Sequence, residues 1–122
     1  MSKFVAAIAT ALLLPSFARA DYHCAYGPWQ AIPNQQTEAF MEATNGRPCP
    51  IGVRFTASGG TIVHGLNVVQ KPRNGTATVD GYRVVYRARN GFSGQDSFTF
   101  AMRASLNRVP GVATVRVSVK VR

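Results

Sequence analysis

The chain has 122 residues, 46% of them hydrophobic, with 14 Lys and Arg against 5 Asp and Glu and a formal net charge of +9. That length accommodates one domain with a real core but not two. No apolar stretch reaches the roughly 20 residues of a membrane-spanning helix, and there is neither an internal repeat nor a low-complexity tract.

Met1-Ser2-Lys3 leads into the apolar stretch Phe4 to Leu14, followed by Pro15-Ser16-Phe17-Ala18-Arg19-Ala20. A charged start, a short apolar core and an Ala-x-Ala exit predict a secretory signal over residues 1–20, cleaved after Ala20. Asp21, not a cysteine, follows the expected cut, so the usual lipid-anchor position is empty, and no C-terminal anchor signal is visible. The mature protein is expected to be soluble, periplasmic or extracellular, without stable membrane insertion. Lys3 and Arg19 leave with the signal, so 12 basic and 5 acidic side chains remain, a net charge of +7. Such a charge attracts anionic neighbours at long range, and in an envelope those are lipopolysaccharide, acidic polysaccharide and cell-wall polymers; nucleic acid is not expected as a partner. The same arginines also serve simply to keep a β surface soluble and its edges unpaired.

Residues 21–37 contain Gly27, Pro28, Pro33 and the polar run Asn34-Gln35-Gln36, with Tyr22, Tyr26 and Trp29 among them. This reads as an irregular N-terminal extension ahead of a domain at residues 38–122. Two cysteines in an oxidising compartment predict a Cys24–Cys49 disulfide, which for a loop of about 25 residues adds roughly 3–4 kcal/mol. Because Cys24 lies outside the strand pattern, the bridge is expected to tether the extension and not to join two sheets. Residues 38–44 fit either a strand or a helical turn and are assigned to a first strand.

From residue 50 onward the apolar residues recur with period 2, the signature of half-buried strands. In 51–57 the odd positions are apolar, with Arg54 and Thr56 pointing out. Tyr82, Val84, Tyr86 and Ala88 face one way and Arg83, Val85, Arg87 and Arg89 the other. Phe98, Phe100 and Met102 alternate with Ser97, Thr99, Ala101 and Arg103. The last strand sends Ala113, Val115, Val117, Val119 and Val121 inward. Turn signals separate these runs: Ser58-Gly59-Gly60, Asn74-Gly75, Asp80-Gly81, Asn90-Gly91, Ser93-Gly94 and Pro110-Gly111. Asn-Gly and Asp-Gly supply positive φ cheaply and are expected to close hairpins. The spacing predicts an all-β sandwich or barrel.

The run Pro72-Arg73-Asn74-Gly75-Thr76-Ala77-Thr78-Val79, then Val84-Val85-Tyr86-Arg87-Ala88, then Gly91-Phe92-Ser93-Gly94-Gln95-Asp96-Ser97-Phe98-Thr99-Phe100 resembles the bacterial immunoglobulin-like or cadherin-like domains of secreted and surface proteins. The resemblance covers residues 71–121; Ala88 stands where the family often has proline. It implies an immunoglobulin-like β-sandwich of about seven antiparallel strands and assigns structural roles to Gly75, Tyr86, Gly91, Phe92, Gly94, Asp96, Phe98 and Phe100. Gly91 and Gly94 suit a tight corner, Phe92 can plug the end of the core, and Asp96 can accept hydrogen bonds from turn amides at the start of the next strand.

No catalytic constellation is visible. His23 and His64 lie in no catalytic motif, and Ser93 lacks the glycine-x-serine-x-glycine spacing of a nucleophile elbow, so no enzyme is expected. His23 beside Cys24 would hold a soft metal only if the thiol were free, and the carboxylates Asp21, Glu38, Glu42, Asp80 and Asp96 are too scattered for calcium. No metal or cofactor is expected. Asn74-Gly75-Thr76 matches the N-glycosylation acceptor but is explained as a turn, and Trp29 as packing before a sugar platform. The outward Arg83, Arg87 and Arg89 share a strand face, which Arg54 joins if residues 51–57 and 82–89 pair in one sheet, whereas Arg103, Arg116 and Lys120 would belong to the other. The expected function is a non-catalytic exported binding module for an anionic polysaccharide, lipopolysaccharide or an envelope protein. The alternatives are a subunit of a surface assembly pairing through the last or the first strand as an edge, and a small hydrolase.

Overall fold

The computed structural model describes residues 23–53 and 61–122. The expected signal segment, Arg54 and the turn signal Ser58-Gly59-Gly60 lie outside the described residues. Eight strands run in the order β1 (Cys24–Tyr26), β2 (Gln36–Ala43), β3 (Pro48–Gly52), β4 (Thr61–Gln70), β5 (Gly75–Asp80), β6 (Arg83–Ala88), β7 (Gly94–Leu106) and β8 (Val109–Val121). They form a five-stranded sheet, β1-β2-β8-β7-β4, packed on a three-stranded one, β3-β6-β5.

The sandwich follows from the alternation. Ala113, Val115, Val117, Val119 and Val121 of β8, Phe98, Phe100 and Met102 of β7, and Val84, Tyr86 and Ala88 of β6 all point into one core with Ile51 and Met41. Each fully buried valine or phenylalanine contributes roughly 1.5–3 kcal/mol. Residues 38–44 take the strand assignment, with Ala39, Met41 and Ala43 buried. β3 and β6 pair from Pro48↔Arg87 to Gly52↔Arg83, so the second and fifth elements of the predicted domain do share a sheet.

Several expectations need correction. The expected sandwich of about seven strands is present with eight, but they are not all antiparallel: β2 runs parallel to β8, in continuous register from Gln36↔Thr114 to Ala43↔Val121. This pairing covers the edge of β8 that its hairpin with β7 leaves open, so the valine-rich last strand is internal and presents no edge. The N-terminal extension is not irregular throughout, because Cys24 to Tyr26 pair with Ala43 to Met41. Cys24 therefore sits in an edge strand of the larger sheet and its disulfide to Cys49 on β3, with Cα atoms 5.4 Å apart, joins the two sheets as well as holding the extension. Period-2 reading missed β1 because three residues are too few to show alternation.

The turn signals divide into two kinds. Asp80-Gly81 does close a hairpin, β5 to β6, with Gly81 at φ +62° as its first central residue. Asn74-Gly75 and Asn90-Gly91 do not: the chain crosses there from one sheet to the other, β4 to β5 and β6 to β7. Pro110-Gly111 lies inside β8, and the β7–β8 turn is instead made by Asn107 and Arg108, both in the left-handed region at φ 52° and 69°. That pair matches the two positive φ values of a type I′ turn, with arginine where glycine is usual. Tyr82, expected inward, sits at the β5–β6 turn and is exposed. Thr99 and Ala101 point outward yet are buried, since β7 runs between two long neighbours and Thr99 lies between Arg116 of β8 and Gln70 of β4.

Candidate functional site

The motif residues assemble around Asp96, at the start of β7. Its carboxylate accepts from the backbone N–H of Arg73 and Asn74 at 3.1 Å, from Ser97 N–H at 2.9 Å and from the Tyr86 hydroxyl at 2.8 Å. One side chain thus holds the β4–β5 crossover, its own strand and a residue of the opposite sheet. Burial, the hydrogen bond to Asp96 and the charge of that carboxylate all push the Tyr86 phenol well above its ordinary range. The Tyr86 ring stacks on Phe98, with centroids 5.7 Å apart. Gly75 is required by close approach: a Cβ there would lie 2.3 Å from the Arg87 carbonyl oxygen and 2.9 Å from the Ala88 Cα. Gly91 and Gly94 take φ values of 83° and 135°, and Phe92 packs against the core. Trp29 is half-buried and meets Phe100 edge-on at 5.9 Å, a packing contact that closes the N-terminal segment onto the core.

The predicted basic face lies on the outer side of the three-stranded sheet. Alternation places Arg83, Val85 and Arg87 there, in register with Asp80, Thr78 and Thr76 of β5. Arg83 is paired with Asp80 at 2.8 Å, and the Arg89 guanidinium lies over the Phe92 ring, 5.4 Å from its centroid. Arg87 is exposed between Pro48 and Thr76. The structure therefore brings Arg83 and Arg87 to one face but engages Arg83 with a carboxylate, and Arg54 is outside the described residues.

The outer face of the five-stranded sheet is different. A cleft of about 440 Å³ opens where the β4–β5 crossover passes the ends of β7 and β8, lined by Lys71, Arg73, Arg116, Gln70, Asn74, Gln95, Asp96, Ser97 and Ser118. Lys71, Arg73 and Arg116 are exposed, and none forms an ion pair among the described residues. Asp96 also borders the cleft, but its oxygens are taken up by the four donors above. Gln95 and Ser118 are shared with a second cleft of about 660 Å³, lined by Tyr26, Phe40, Glu42 and Lys120 among others. Phe40 projects from β2 beside Ser118 and is 66% exposed. Glu42 accepts from Arg122 and contacts His23, each at 3.1 Å, so its charge is already matched. Sequence alternation identifies Arg116 and Lys120 as outward on β8; what it cannot show is that the crossover carries Lys71 and Arg73 to the same place.

His64, the bulge residue of β4, meets Ser105 Oγ with Nε2 at 2.7 Å on the exposed side of the β4–β7 pair. No carboxylate contact to that histidine is present among the described residues, and no cluster of three or more metal-ligating side chains occurs among them. No described helix is long and apolar enough to cross a membrane.

Comparison with known proteins returns no match among curated proteins and none among solved structures. A family model described as bacterial Ig domain matches residues 32–120, from just before β2 to the penultimate residue of β8. Such domains are typical of non-catalytic surface modules, and together with the disulfide they are typical of exported proteins. With strands β3, β6 and β5 in one sheet, β8, β7 and β4 in the other, and the match spanning most of its length, the chain belongs to the bacterial immunoglobulin-like domain family.

Proposed function

We propose that the protein is an exported, non-catalytic binding module of the bacterial envelope that engages an anionic polymer. What supports the reading is charge: past the signal-like segment, 12 basic side chains face 5 acidic ones, and Lys71, Arg73 and Arg116, which line one cleft of the larger sheet, form no ion pair among the described residues. The signal-like pattern of residues 1–20 and the disulfide support export to the periplasm or beyond.

Electrostatic association of exposed groups is screened within about 8 Å at physiological ionic strength, so binding should fall steeply as salt rises. Retention of the purified protein on immobilised acidic polysaccharide and on lipopolysaccharide, measured across a salt series, tests the proposal. Salt-sensitive retention on either is expected; elution with the void volume from both at low salt would sink it. Mass spectrometry of the exported chain is expected to show Asp21 as the first residue.

A further inference from the structure

We infer that the binding site is the groove across the outer face of the five-stranded sheet, and that its ligand is an acidic polysaccharide. The groove seats an anionic substituent between Lys71, Arg73 and Arg116 and a sugar ring on Phe40. This rests on the envelope-polymer reading and adds to it a place and a ligand class. The two clefts lie side by side on this face, with Gln95 and Ser118 in the walls of both. Together they pass from the β4–β5 crossover over β7 and β8 to β2, about 14 Å at ordinary strand spacing.

The chemistry of the wall varies along that path. At one end three cations converge from different elements, Lys71 and Arg73 from the crossover and Arg116 from β8. Asp96 is the carboxylate at that end, and its four donors leave it matched and fixed. The middle offers the amide of Gln95 and the hydroxyls of Ser97 and Ser118, which suit a ligand rich in hydroxyl groups. At the other end Phe40 exposes its ring beside Ser118. Three cations at one end, hydroxyl and amide groups between, and the exposed rings of Phe40 and Tyr26 with Lys120 at the other match a polymer of acidic sugars. A nucleic acid strand calls instead for a longer basic track with several stacking rings. The arginines of the opposite sheet lack this combination, with Arg83 already paired to Asp80.

Three variants and four polymers test the inference by calorimetric titration or affinity electrophoresis. The variants are K71Q/R73Q/R116Q, F40A and, on the opposite sheet, R83Q/R87Q; the polymers are polygalacturonate, a phosphorylated polysaccharide, duplex DNA and neutral dextran. All six side chains are exposed, so the fold is expected to survive, as urea unfolding would verify. Binding to the carboxylated or the phosphorylated polymer is expected to weaken at least tenfold in the triple variant and several-fold in F40A, to be unchanged in R83Q/R87Q, and to be absent with dextran. Which of the two anionic polymers binds identifies the substituent. Wild-type binding that the triple variant retains, or that R83Q/R87Q abolishes, overturns the groove while leaving the envelope-polymer reading intact. Duplex DNA bound as tightly as either polysaccharide overturns the ligand class, and no wild-type binding to any anionic polymer overturns both proposals.

Discussion

Replacing Tyr86 by Phe removes a single hydroxyl from the junction of the β4–β5 crossover with the start of β7. Tyr86 is fully buried, and its hydroxyl donates to Asp96 at 2.8 Å. The ring remains and keeps its stacking on Phe98, so the cavity created is minimal. What is lost is one hydrogen bond to a charged acceptor, worth about 1.5–3 kcal/mol. Asp96 keeps the N–H groups of Arg73, Asn74 and Ser97, which prevents the larger loss that follows when a buried charge is left unpaired. At roughly 4–8 °C per kcal/mol for a domain of this size, Tm should fall by roughly 6–24 °C. Urea unfolding followed by the fluorescence of Trp29, the only tryptophan, measures the change. A double-mutant cycle with Asp96→Asn should return a coupling of about 1–3 kcal/mol. A Tyr86→Phe variant within about 0.5 kcal/mol of the parent would refute the argument, since surface-like substitutions already fall in that range. The pH dependence carries a second signature. Folding raises the phenol above its ordinary 10.0, so Tyr86 ionises more readily in the unfolded chain. Its contribution is complete below about pH 10 and is lost as pH rises from there toward the folded value, and Tyr86→Phe should flatten that alkaline arm of the stability curve.

Removing the disulfide as C24S/C49S should cost about 3–4 kcal/mol for a closed loop of this length, with identical urea midpoints in oxidised and serine forms as the contrary result. Gly75→Ala drives a methyl into backbone atoms of β6 that cannot rotate away, so a loss of about 1–3 kcal/mol or more is expected in the same assay; an unaffected variant would mean that the crossover shifts freely. Arg108→Gly relieves a non-glycine residue at φ 69° and creates an Asn-Gly turn pair. It should raise stability by up to about 1 kcal/mol in thermal melts, whereas a loss would show that Arg108 makes a compensating contact.

Strand content was legible where alternation runs unbroken, and the ten-residue β4 escaped it because register shifts at Val63/Gly65 and Val68/Gln70 break the period. β6, β7 and β8 are 6, 13 and 13 residues long, and the inward positions read from alternation at 82–88, 98–102 and 113–121 agree with the buried side chains, with Tyr82 beyond the strand end as the exception. The same signal fails for β1, which has three residues, and it cannot separate buried from exposed positions on the outer face, as Thr99 shows. Turn chemistry located chain reversals but not their destinations. Asn74-Gly75 and Asp80-Gly81 look alike as dipeptides, yet one leads to the other sheet and the other back along the same one, because the choice depends on which strand edge is free. The type I′ turn at Asn107-Arg108 was invisible, since arginine carries no signal for positive φ.

For the candidate site the division is sharper. The excess of basic residues and the outward direction of Arg83, Arg87, Arg116 and Lys120 follow from composition and period alone, because charge is additive and strand alternation is local. Composition and local pattern likewise determined the all-β class, the cystine and the family motif over residues 71–121. Only the tertiary structure decided that Cys24 joins two sheets, that β8 is internal, and that Lys71 and Arg73 on a crossover meet Arg116 from a strand more than 40 residues later. Those outcomes depend on long-range pairing, in which distant segments settle beside whichever edge and face remain unfilled, and no local pattern of residues encodes that competition.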